Sequence, residues 1–66
     1  MSRIGEEIRK ARNAAGISQY ELAKKVGNLN QSQIAKIERG ARRITTDDLI
    51  RIARALQVDA SELLMN

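Results

Sequence analysis

Three observations predict an all-α fold, a compact bundle of five short helices. No stretch of the 66 residues alternates apolar and polar side chains for long enough to make a strand, proline is absent, and one helix-starting pattern occurs four times. The pattern is an apolar residue, a capping residue, an acid or amide three positions after the cap, and another apolar residue four after it. It reads Ile17, Ser18, Glu21, Leu22, then Leu29, Asn30, Gln33, Ile34, then Ile44, Thr45, Asp48, Leu49, and last Val58, Asp59, Glu62, Leu63. Each is a capping box with a hydrophobic staple. The cap side chain satisfies an amide left free at the helix start, contributing about 1 kcal/mol, and the staple fixes the angle of chain entry.

The first helix lacks a box but is expected over residues 2–15, with Ile4, Ile8, Ala11 and Ala15 on one stripe and Glu6 and Glu7 near its positive end. Gly16 ends it in a left-handed cap. The second helix, 19–26, buries Leu22, Ala23 and Val26, and Gly27 stops it in the same way. The third runs over 31–39 behind the Asn30 cap and is closed by Gly40; Ile34 and Ile37 are its core residues. A basic loop, 41–44, leads to a fourth helix over 46–56, with Leu49, Ile52, Ala53 and Leu56 inward. A last turn or two is expected over 61–64.

A chain of this length is expected to form one domain, 1–66, and to bury roughly 60% of its unfolded surface, too little to enclose a sizeable active site. With no Cys and no His, disulfides, thiolate or imidazole metal sites and the commonest general base are all missing. No enzyme activity, catalytic residue, metal or cofactor is therefore expected. The longest apolar run is three residues, Leu63 to Met65, far short of a membrane span, and no signal-peptide pattern opens the chain. A soluble, cytoplasmic protein without a membrane partner is the expectation.

The net charge is +4, and residues 30–43 alone carry +3, from Lys36, Arg39, Arg42 and Arg43 against Glu38. Such local excess fits a polyanion partner; a solvated basic face is the alternative that charge alone leaves open. The third helix also begins with four small polar residues, Asn30 to Gln33, facing outward. Only Gly27, Asn28 and Leu29 separate the second helix from the Asn30 cap. So tight a connection suits a steep crossing, a helix-turn-helix with small Ala23 at the closest approach.

ISQYELAKKVG followed by NQSQIAKIERG resembles the helix-turn-helix of the lambda repressor and Cro family, the XRE type. The resemblance covers nearly the whole chain, through Arg12 and Gly16, Ser18 and Gln19, Leu22 and Ala23, residues 37–40 and residues 52–58. Asn28 is one residue more than that family's turn usually holds, which implies a slightly longer turn. Gln57 stands where the family usually has Gly, so it either takes a left-handed conformation or lengthens its turn.

The resemblance implies double-stranded DNA as partner, with the third helix in the major groove. Gln31, Ser32 and Gln33 then face base edges, and Gln can pair bidentately with adenine. Gln33 equally well completes the capping box. Lys36, one turn on, can reach guanine or a phosphate. Gln19 matches a position that bonds a phosphate and braces the first glutamine of the recognition helix, here Gln31. Arg39, Arg42 and Arg43 fall where such chains run along the DNA backbone, and Tyr20 joins them through its hydroxyl or packs as a surface tyrosine. Arg12 and Glu38 match a largely buried ion pair that orients the third helix.

One module covers about one half-site, so a homodimer on a palindromic operator is expected. Its interface is placed at the end of the chain: Leu63, Leu64 and Met65 do not all fit one small core, and Ile50 lies off the inward stripe; the alternative is that these residues, Leu63 above all, close the monomer core. The function expected is a sequence-specific transcriptional regulator of repressor or controller type; a phage repressor, a restriction-modification controller, an antitoxin or part of a longer regulator all fit. The alternative is a protein-interaction module on the same fold, antitoxin-like or anti-repressor, without its own operator.

Overall fold

The computed structural model describes residues 3–64, and these form five helices: α1 (Arg3–Ala14), α2 (Gln19–Val26), α3 (Gln31–Glu38), α4 (Thr46–Leu56) and α5 (Ala60–Leu64). The starts of α2, α3 and α4 fall where the sequence expects them because their capping boxes are fully formed. In the first, Ser18 Oγ accepts from the Glu21 amide at 3.0 Å while the Ser18 amide donates to Glu21 Oε1 at 2.8 Å. That backbone donor, followed by the Ser18 hydroxyl, holds the Glu21 carboxyl below its ordinary pKa. The fourth box keeps one half: the Asp59 amide donates to Glu62 Oε2 at 2.9 Å, but the Glu62 amide turns to the Asp59 backbone carbonyl. Helix α5 still starts at the residue after its cap, Ala60, as the other three boxed helices do, and so one residue before the turn expected over 61–64. Helix α1 ends at Ala14, so Ala15 is exposed rather than on the buried stripe.

Three helix ends close with the paired hydrogen bonds of a Schellman motif. At α3, Ala41 donates to Lys36 O at 2.8 Å and Gly40 to Ile37 O at 3.1 Å, with Gly40 at φ 77°. At α4, Val58 donates to Ala53 O and Gln57 to Arg54 O, which places Gln57 at φ 60°, ψ 42°. Gln57 thus takes the left-handed conformation where glycine would be unstrained. The end of α2 differs from expectation: Gly27 has positive φ, 93°, but its ψ of −31° lies outside the left-handed helical region, and its amide simply completes an α-helical bond to Ala23 O.

The core gathers residues from every helix. Ile8, Leu22, Ile34, Ile37 and Ile52 are fully enclosed, with Ala23, Val26, Leu29, Leu49, Ala53, Leu56 and Leu63 around them. Helix α2 packs on α3 and α4, α1 packs on α3 and α5, and α5 also packs on α4. Each inward Ile, Leu or Val side chain is worth about 1.5–3 kcal/mol of burial. The same packing leaves one long side of α3 uncovered.

The seam between α1 and α3 depends on Gly5. A Cβ there would stand 2.3 Å from Ile37 O and 2.7 Å from Glu38 O, closer than real Cβ contacts come. Only glycine lets α1 approach the last carbonyls of α3 this closely.

Candidate nucleic-acid interface

Helix α3 is aimed from its C-terminal end. Arg12 donates from Nε to Glu38 Oε2 at 2.7 Å and from Nη2 to Glu38 Oε1 at 3.1 Å, and its Nη1 reaches Ile17 O at 2.9 Å. Gln19 Nε2 donates to Glu38 Oε1 at 3.1 Å. One carboxylate with 4% of its side-chain surface exposed therefore ties together α1, α2 and α3. A two-pronged guanidinium contact fixes direction as well as distance. Gln19 was expected to brace Gln31; its amide nitrogen instead donates to Glu38.

The N-terminal end of α3 is set by Asn30, whose Oδ1 accepts from the Gln33 amide at 2.8 Å while the Asn30 amide donates to Gln33 Oε1 at 2.9 Å. Leu29 and Ile34 are both buried beneath this box. Gln33 is thereby turned back onto the cap, and reaching outward would break that bond. Gln31, Ser32 and Lys36 lie exposed, and their side chains bond no other described residue. Tyr20 is 56% exposed and stands across a groove of about 380 Å³ from Gln31, with Lys24 Nζ 5.5 Å from its ring centroid. That contact is a cation–π pair on an open surface.

The basic residues after α3 divide. Arg39 and Arg43 are exposed and have no ion pair among the described residues. Arg42 turns inward, its Nη2 3.8 Å from Oδ2 of the buried Asp48 and its Nε enclosed without a partner. It pins the basic loop to the first turn of α4.

At the far end of the bundle, Leu63 is 3% exposed and belongs to the monomer core, which corrects its expected place at a subunit interface. The α5 helix phase decides this by pointing Leu63 at α1 and α4 and Leu64 away. Ile50 and Leu64 are exposed at 45% and 59%. Met65 lies outside the described residues.

The sequence reading passed over Gly5 and Arg9. Gly5 had a legible signal, a glycine inside a helical pattern, whereas Arg9 shows its surroundings only in three dimensions.

The helix-turn-helix family model matches residues 8–63. The chain belongs to the lambda repressor and Cro-like, XRE-type helix-turn-helix family. At that level of description it is a DNA-binding transcriptional regulator. It is 34% identical over 61 residues to the control protein C.SmaI of Serratia marcescens, covering 92% of this chain and 71% of that one. Its fold matches the restriction-modification controller protein C.AhdI of Aeromonas hydrophila with a TM-score of 0.88 at 35% identity, over 91% of this chain and 86% of that one. The P22 c2 repressor, solved in complex with a synthetic operator, matches at 0.84 and 30% identity, over 96% and 94%. These relatives are regulators rather than enzymes. No described helix is long and apolar enough to cross a membrane.

Proposed function

We propose that the chain acts as one domain in the cytoplasm and binds a palindromic operator in double-stranded DNA as a homodimer, with α3 lying in the major groove. The observation that carries this reading is the exposed row Gln31, Ser32 and Lys36, three polar side chains without partners among the described residues, on a helix whose opposite end is locked by a buried carboxylate. Ordering a helix so firmly while leaving its polar face unsatisfied makes physical sense if that face meets a polar surface of fixed shape. Gln31 and Ser32 then read base edges, Lys36 reads a guanine or holds a phosphate, and Arg39, Arg43, Gln19 and Tyr20 meet the backbone. Gln33 serves the cap and Arg42 the loop.

Ile50 and Leu64 supply the exposed apolar surface for pairing, and twofold symmetry would set the two α3 helices about 34 Å apart, one turn of DNA. Similarity to a control protein and to a restriction-modification controller protein supports a controller as the kind of regulator. An interaction module without an operator fits less well, since a protein-binding face carries aromatic or aliphatic anchors and the α3 row has none.

Selection of sites from a random duplex pool at moderate salt tests the proposal. The expected result is an enriched symmetric motif with half-sites about 10 base pairs apart, centre to centre. A pool that enriches no motif would overturn it.

A further inference from the structure

A second groove, of about 390 Å³, opens between α1, α2 and α3, and Arg9, Arg12, Gln19, Glu38 and Arg39 line it. Three guanidinium groups face one carboxylate there. Glu38 is already committed, bonded twice by Arg12 and once by Gln19. Arg9 and Arg39 are exposed, and among the described residues neither side chain has an ion pair or hydrogen bond. The groove thus keeps two positive charges beyond what it neutralises, held on separate helices that the Arg12–Glu38 pair fixes relative to each other.

We infer that Arg9, on α1, is a phosphate-binding residue: together with Arg39 it clamps one backbone phosphodiester of duplex DNA over the groove between α1, α2 and α3. This rests on the DNA-binding reading and extends the contact surface beyond the helix-turn-helix to the first helix. The groove is wide enough for a phosphate, and Gln19, whose position opens α2, adds the positive end of that helix to the same place. Two positive charges lining one groove beyond what its single carboxylate neutralises are unfavourable in the free protein, and a phosphate relieves that repulsion. Because Arg39 follows directly on α3 while Arg9 belongs to α1, a shared phosphate would set both the depth and the tilt of α3 in the groove. No base is read by this contact, so it adds affinity equally for every sequence.

The test is the salt dependence of binding to a mixed-sequence DNA duplex, measured for the parent chain, Arg9→Ala, Arg9→Lys and Arg43→Ala. Arg9→Ala should lower the slope of log affinity against log salt by about 0.9 and weaken binding about eightfold at roughly 0.1 M salt, the counterion contribution of one phosphate. Arg9→Lys should keep most of the slope. A purely structural role would change melting and leave the slope alone, so melting is followed in parallel. If the parent binds DNA and Arg43→Ala lowers the slope while Arg9→Ala does not, this inference fails and the DNA-binding reading stands. If the parent binds no duplex, both fail together. Inorganic phosphate at constant ionic strength separates a DNA site from a small-anion site. A phosphate-dependent shift of the Arg9 Nε–H resonance with no slope change in Arg9→Ala would assign the groove to a free anion and overturn the clamp.

Discussion

At its C-terminal end α3 offers Glu38 to donors from two other helices, all within 3.1 Å, while at its N-terminal end Gln31 and Ser32 meet only solvent. The two ends belong to one helix of eight residues yet follow opposite rules. A buried carboxylate costs several kcal/mol to desolvate and repays that only with well-aligned partners, so the Glu38 end is specified tightly. Exposed amides and hydroxyls cost nothing to leave in water, so the Gln31 end is free to vary without unfolding the protein. The proposed reading role of α3 uses this separation, since the exposed side chains at its start can change without disturbing the contacts that hold its end.

Breaking the C-terminal end should have the largest effect. Glu38→Gln leaves Arg12 charged, largely enclosed and opposite a neutral amide, and should destabilise the fold by about 3 kcal/mol in denaturant titration. An unchanged midpoint would mean that the pair is held in water. Gly5→Ala attacks the same end from the other side. The added methyl meets backbone oxygens rather than a flexible side chain, so α1 and α3 must separate at a cost of about 1–3 kcal/mol. Its thermal midpoint should fall, and its DNA affinity should fall by more than Gln31→Ala causes on non-specific duplex, since the whole helix is displaced. Gln57→Gly makes the smallest change and the only gain. Relieving a left-handed glutamine at the end of α4, against the backbone freedom glycine adds to the unfolded chain, should stabilise by about 0.5–1 kcal/mol without altering DNA binding.

Most of the fold was legible because its decisive signals are local. A cap, its partner three residues on and the staple lie within six positions, and the starts of α2, α3 and α4 could be read from them directly. Even the half-made box at Asp59 puts the start of α5 at the next residue, Ala60. The errors came from tertiary packing. Leu63, Leu64 and Met65 are equally apolar, and only the helix phase against α1 and α4 distinguishes the buried Leu63 from the exposed Leu64. Arg42 and Arg43 are adjacent and chemically identical, yet Asp48 takes one and solvent the other. Gly5 matters because of carbonyls thirty-two and thirty-three residues later in the chain.

In the candidate interface, the residues facing outward from α3 could be named from the cap register, since Asn30 as cap fixes Gln31 and Ser32 as the first two helical positions. What Gln33 and Gln19 touch in the free protein could not be read that way: Gln33 turns its side-chain oxygen to the cap amide, and Gln19 gives an amide hydrogen to Glu38, nineteen residues away.

The division of α3 into an aiming end and a reading end is tested most directly by Gln31→Ala in random-pool selection, with its melting temperature measured beside the parent's. The account predicts an unchanged melting temperature and a selected motif that keeps its symmetry and spacing but loses base preference at one symmetric pair of positions, worth about 1–3 kcal/mol of discrimination. A variant that selects the parent motif at every position, or that melts early, would contradict it.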